Sequence, residues 1–126
     1  MINELCKEIH ENAKSKGFFD SEKNIGEMLM LIVTEVAEAC EADRKSHYTN
    51  WDNFNKEFKA QEKSGHKDAW KIAFDTHIKD TFEDELADIM IRVMDLAAFK
   101  GIDLQSHIEG KMNRNKLREY KHGKKY

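Results

Sequence analysis

Residues 24–42 read NIGEMLMLIVTEVAEACEA, an apolar run of helical period that two acids, Glu35 and Glu38, interrupt three positions apart. At about 100° per residue, Ile25, Leu29, Ile32, Val36 and Cys40 form one stripe. Met28 and Leu31 form a second, and its continuation is Glu35 and Glu38. The helix is therefore apolar on two faces at first and then replaces one of them with carboxylates. Asn24 followed by Glu27 has the form of a capping arrangement, so a helix is predicted over 25–46.

The design recurs at residues 82–104, FEDELADIMIRVMDLAAFKGIDL. Phe82, Leu86, Ile89, Val93 and Leu96 make a core stripe, and Glu85, Asp88 and Arg92 lie along its edge. Gly101 is placed to close this helix, and Asp103 to cap a last one over 104–119. Near the start, Leu5, Ile9 and Ala13 predict a helix over 3–16 that Gly17 ends. The polar stretch 47–66 carries Trp51, Phe54 and Phe58, which suits one short helix between Asn50 and Ser64-Gly65. Beyond it, Trp70, Phe74 and Ile78 continue the Phe82 stripe backwards. The later helix therefore either begins near residue 67 or is broken around Asp80-Thr81. The expected fold is an all-α, four-helix-type bundle with a short extra helix in an insertion, as a single domain over residues 1–126.

Composition agrees. The chain has no proline, the residue that helix interiors exclude most strongly, and 36% of its residues are charged. No window approaches the roughly 20 apolar residues of a membrane span, and the opening MINELCKEIH has neither a basic leader nor an apolar signal core. A cytoplasmic location without membrane attachment is expected. Cys6 and Cys40 lack a C-x-x-C spacing and are expected as reduced thiols. Residues 111–126 hold seven Lys or Arg against the single acid Glu119, a tail of +6 on a body of −9. An acidic body does not suit a nucleic-acid groove. A basic tail beside it suits a small polyanion such as a nucleoside triphosphate, although charge alone favours a solvated, frayed terminus.

A carboxylate flush with a core stripe must be neutral, paired or bound to a cation. Packed side by side, the two helices would bring Glu35, Glu38, Glu85 and Asp88 to one cleft, where an all-oxygen donor set favours Mg²⁺ or Mn²⁺ over Zn²⁺. The alternative is two solvated acid faces. A di-iron centre needs Glu-x-x-His on core helices, and here that spacing occurs at Glu119 and His122, in the basic tail. No two histidines pair on an apolar face, so each is expected at the surface or in a loop. His122, among Lys121, Lys124 and Lys125, is the one placed to meet a phosphate, with Lys124 beside it. No Gly-rich phosphate loop or local nucleophile signature is present. Phosphate chemistry here would rest on a metal and basic side chains.

Three blocks, residues 24–42, 82–104 and the ending KMNRNKLREYKHGKKY at 111–126, resemble the MazG-like branch of the all-α nucleoside triphosphate pyrophosphohydrolases. The resemblance covers about half the chain, in matching order and acid pattern. It implies that Glu35, Glu38, Glu85 and Asp88 hold Mg²⁺ and carry the catalysis. It also implies that Lys111, Asn115 and Arg118 face the phosphates and sugar. The implied reaction converts a nucleoside triphosphate to the monophosphate and pyrophosphate, a nucleotide-pool house-cleaning activity, in a homodimer or homotetramer. For the assembly, Met28 and Leu31, outside the first stripe, are the expected subunit contact.

Two features depart from the pattern. The 46 residues between Glu38 and Glu85 exceed the usual gap and carry Trp51, Phe54 and Trp70, which either stack on a base or cover a bundle face. Glu119 stands where many relatives have proline. Two rival functions share the same residues: a phosphoribosyl-ATP pyrophosphohydrolase, and a non-catalytic helical module that binds nucleotide or protein.

Overall fold

The computed structural model describes residues 1–126 as six α-helices with no strand: α1 (Ile2–Ser15), α2 (Ile25–Arg44), α3 (Trp51–Lys63), α4 (Ala69–His77), α5 (Phe82–Phe99) and α6 (Leu104–Lys116). A single 3-10 turn, Tyr120–Gly123, follows. No helix is long and apolar enough to cross a membrane.

The predicted caps set the boundaries. Asn24 accepts from the Glu27 N–H, Asn50 from the Asn53 N–H and Asp103 from the Ser106 N–H. Each side chain thereby satisfies a donor that the first helical turn leaves unpaired. Gly17 and Gly101 follow α1 and α5 with φ of +86° and +66°, a conformation that glycine adopts without a Cβ clash.

Three expectations are corrected. The insertion holds two helices, α3 and α4, rather than one; of the two alternatives for the apolar stripe from Trp70 to Phe82, the break around Asp80-Thr81 is the one found. Asp80 takes a φ of +62°, and Thr81, fully buried, donates to the Ile78 carbonyl and accepts from the Asp84 N–H. Thr81 thus restarts the chain as α5. The last helix ends at Lys116, so Arg118 lies beyond it, and α2 ends at Arg44. On α2 the buried face is Glu35, Ala39 and Ala42, whereas Leu29, Val36 and Cys40 of the predicted stripe are exposed.

The chain groups into two compact units, residues 1–22 with 93–126, and residues 23–92. In the first, α1 and α6 begin against each other. The Asn3 side chain accepts from the Gln105 N–H at 3.1 Å, and the Gln105 side chain accepts from the Ile2 N–H at 3.1 Å. His10, expected at the surface, is instead half-buried: its Nδ1 lies 2.7 Å from Asp95, and its ring packs edge-on against Phe19. In the second unit, α3 and α4 close on Phe54, Ala73 and Ile78, with Phe58 and Phe74 alongside. The 47–49 segment is tied to the start of α5, where the Phe82 N–H donates to the His47 carbonyl and the Thr49 and Thr81 hydroxyls meet at 2.8 Å. Cys6 and Cys40 are both free thiols.

Candidate metal centre

Helical spacing places Glu35 and Glu38 one turn apart on α2, and Glu85 and Asp88 one turn apart on α5. One oxygen each from Glu35, Glu85 and Asp88 lies within 4.8 Å of the other two. Oxygens around a single octahedral Mg²⁺ are separated by about 3 to 4 Å, so this spacing approaches a coordination shell. Glu38 stands beside the three, exposed, in hydrogen-bonding reach of Glu35 and Glu85.

The electrostatics follow from this crowding. Burial, then the charges of Glu38, Glu35 and Asp88, push the Glu85 carboxyl up to about 7. Asp88 is also raised, by burial and by the charges of Asp84 and Glu35, with Arg92 opposing. Glu38 is raised by its hydrogen bond to Glu35 and by that residue's charge. Burial pushes Glu35 up too, but Arg92 outweighs it: its Nε donates to Glu35 Oε1 at 2.5 Å and, with hydrogen bonds from Glu38 and Glu85, holds Glu35 below its ordinary value.

Glu85 carries a further signal. It is 5% exposed, and its Oε2 is buried with no hydrogen-bond partner. An acceptor left that way costs roughly 1 to 3 kcal/mol, and buried carboxylates without a partner call for a proton or a cation. A hard divalent ion fits this donor set, because all the converging atoms are carboxylate oxygens.

The remaining candidates lie in the other compact unit. Lys111 and Asn115 are one turn apart on α6; Arg118 follows it, its N–H donating to the Asn115 carbonyl at 3.1 Å. His122 sits in the 3-10 turn with φ of +54° and Lys124 just after it, and all five side chains are exposed. Sequence reasoning placed Arg92 on the acid edge but gave it no role. Its position four residues after Asp88 and seven after Glu85 was the available signal, since those spacings share a helix face.

No protein-family profile matches this chain, and no curated protein and no solved structure matches it either.

The Glu85 shift predicts how the cation-free protein responds to pH. Its folded value, about 7, lies above the ordinary 4.5. The folded state therefore binds more protons between these values, and the contribution is full below about 4.5 and lost as pH rises through 7. For one buried group the loss amounts to roughly 3 kcal/mol. Asp88 and Glu38 shift the same way, whereas the stabilisation from Glu35 and from the α6 cap Asp103 disappears only in more acidic solution. In chelator, the urea midpoint should fall between pH 5 and pH 8. A midpoint that is flat or rises over this range would contradict the clustering of the acids.

Proposed function

We propose that this protein hydrolyses a nucleoside triphosphate between its α and β phosphates, releasing a monophosphate and pyrophosphate, in a Mg²⁺- or Mn²⁺-dependent reaction. The observation that carries the reading is the buried, unpartnered Glu85 oxygen among carboxylates from two helices. The MazG-like pattern of the three sequence blocks supports it.

In this reading Glu35, Glu85 and Asp88 hold the ion, with Glu38 at the rim. When bound, a divalent ion polarises a phosphoryl oxygen and lowers the pKa of a coordinated water. Glu38, exposed and with a raised pKa, accepts the proton of the attacking water. As the water oxygen bonds to the α phosphorus, the bond to the bridging oxygen breaks and pyrophosphate leaves. Arg92 keeps Glu35 ionised and oriented. Lys111 and Arg118 neutralise phosphate charge, Asn115 orients the chain by hydrogen bonds, and His122 and Lys124 add long-range attraction.

The direct test is pyrophosphate release from a panel of NTPs, dNTPs and phosphoribosyl-ATP, with Mg²⁺, with Mn²⁺ and with chelator. Release that depends on the cation is expected. Turnover of phosphoribosyl-ATP alone assigns the rival enzyme class. Binding without turnover of any substrate leaves a non-catalytic module, and release in chelator removes the metal assignment.

The four-helix-type bundle and its assembly belong to the same proposal. The expected contact at Met28 and Leu31 joins a broader open face: Leu31 is 42% exposed beside a half-buried Met28, and Leu29, Val33 and Val36, at i, i+4 and i+7, are 45%, 54% and 50% exposed. Met30 extends this stripe, and Leu86 and Met90 are similarly open on α5. Apolar faces of this kind mark contacts between copies. Val33→Asp should convert a homodimer or homotetramer to a smaller species in sedimentation, or cause aggregation. A wild-type chain that sediments as a monomer at micromolar concentration excludes the assembly.

A further inference from the structure

The unit formed by residues 23–92 contains a cleft of about 550 Å³ that shares only Asp88 with the proposed metal centre. Its volume lies within the range of small-molecule pockets. Asp88 lines it, so the cleft opens directly beside the clustered acids. Its walls are Trp51 and Phe74 from the insertion and Ile78, Ala87 and Ile91 from around α5. We infer that this cleft is the nucleobase pocket, with Trp51 as its stacking wall and the Asp80 carboxylate as the acceptor that selects bases bearing an amino group.

The inference rests on the proposed reaction for the phosphates and on the cleft alone for the base. Trp51 is the first residue of α3, two positions after the tied Thr49, whose N–H donates to Glu83 Oε2 at 2.9 Å. The tryptophan is therefore held at the cleft by the start of α5. Its ring packs edge-on against Phe54 at 5.3 Å, and the residue stays 55% exposed, which leaves ring surface open at the cleft. Base stacking on such a ring is sequence-tolerant, because every base has a π face.

Selection comes from the polar lining. Asp75 is occupied by Lys71 at 2.6 Å, Glu83 by Thr49, and Asp84 by the Asp80 N–H at 3.0 Å. The Asp80 carboxylate and the Lys79 ammonium make no hydrogen bond or ion pair within the chain and are left for a ligand. With Asp88, the cleft carries five acids against one lysine, a surplus that favours hydrogen-bond donors. Cytosine N4 and adenine N6 donate; the O4 of thymine or uracil accepts and meets this charge unfavourably.

The experiment uses Trp70→Phe, which leaves Trp51 as the sole tryptophan and keeps a ring beside Phe74. With Mg²⁺ present, CMP and AMP should quench Trp51 fluorescence at concentrations about tenfold below UMP, the low end of the discrimination that one base-reading contact supplies. In pyrophosphate release, Trp51→Ala should raise KM about tenfold with kcat little changed, Trp51→Phe should restore it, and Asp80→Asn should narrow the base preference. Pyrophosphate release with no quenching and an unchanged KM in Trp51→Ala overturns the pocket and leaves the reaction standing. Quenching without pyrophosphate release from any triphosphate supports the pocket and removes the reaction. Equal quenching by UMP and CMP overturns the selection by Asp80.

Discussion

Glu85→Gln should abolish pyrophosphate release while raising the melting temperature of the cation-free protein at pH 8. The two effects have one cause. At pH 8 the wild-type Glu85 is largely ionised in a buried site facing three other acids, so its charge opposes folding. Glutamine keeps the shape, removes the charge and offers an N–H to the neighbouring carboxylates. A gain of roughly 1 to 3 kcal/mol corresponds to about 3 to 15 °C in a domain of this size. In the proposed reaction the same change deletes an anionic ligand, and losing several kcal/mol of metal-derived stabilisation would correspond to roughly 1,000-fold or more in rate. Added Mg²⁺ should raise the wild-type melting temperature and leave that of the variant almost unmoved. Asp88→Ala and Glu38→Ala should likewise lose turnover and stay folded. A Glu85→Gln protein that is less stable at pH 8, or one that keeps wild-type activity, removes Glu85 from the site.

This coupling of stability to activity bears on how much the sequence could disclose. Caps and periodicity carried most of the helical elements, because Asn24, Asn50, Asp103, Gly17 and Gly101 act on neighbouring backbone within a few residues. The break at Asp80 was left open for a physical reason. The buried Ile78 keeps the apolar stripe in phase across it, and what interrupts the helix is a left-handed Asp80 and the tertiary bonds of Thr81 to Thr49. Which apolar stripe of α2 faces inward was equally invisible. Both stripes satisfy the helical period, and the decision falls to the partners of Glu35, one of them Arg92, 57 residues away in sequence. For the site, spacing indicated that four acids share two helix faces. It could not indicate that one Glu85 oxygen is left unpartnered, since that depends on every donor brought near it in three dimensions.

The basic tail separates a phosphate-binding role from a solvated charge run. Cations near the C-terminal end of a helix are favourable through the helix dipole alone, so their presence after α6 is weak evidence of a ligand. The spacing of Lys111, Asn115 and Arg118 is more demanding. Lys111 and Asn115 share a face of α6, while Arg118, beyond the helix, is positioned by the turn in which its N–H donates to Asn115. Arg114 has the same charge and the same exposure but sits between those positions, on α6 itself. If Arg118 touches the phosphates, it stabilises charge that develops in the transition state, and losing such a donor typically costs roughly 100- to 1,000-fold in rate. Arg118→Ala should then lower kcat/KM by that order at any ionic strength, and Arg118→Lys should recover it only in part, because an ammonium lacks the planar fork that grips two oxygens. Arg114→Ala removes a long-range attraction, so its effect should be a few-fold at low salt and vanish near 0.5 M, where the screening length is only about 4 Å. Equally mild, salt-sensitive losses in both variants would return the tail to a solvated charge run and remove Lys111, Asn115 and Arg118 from the substrate site together.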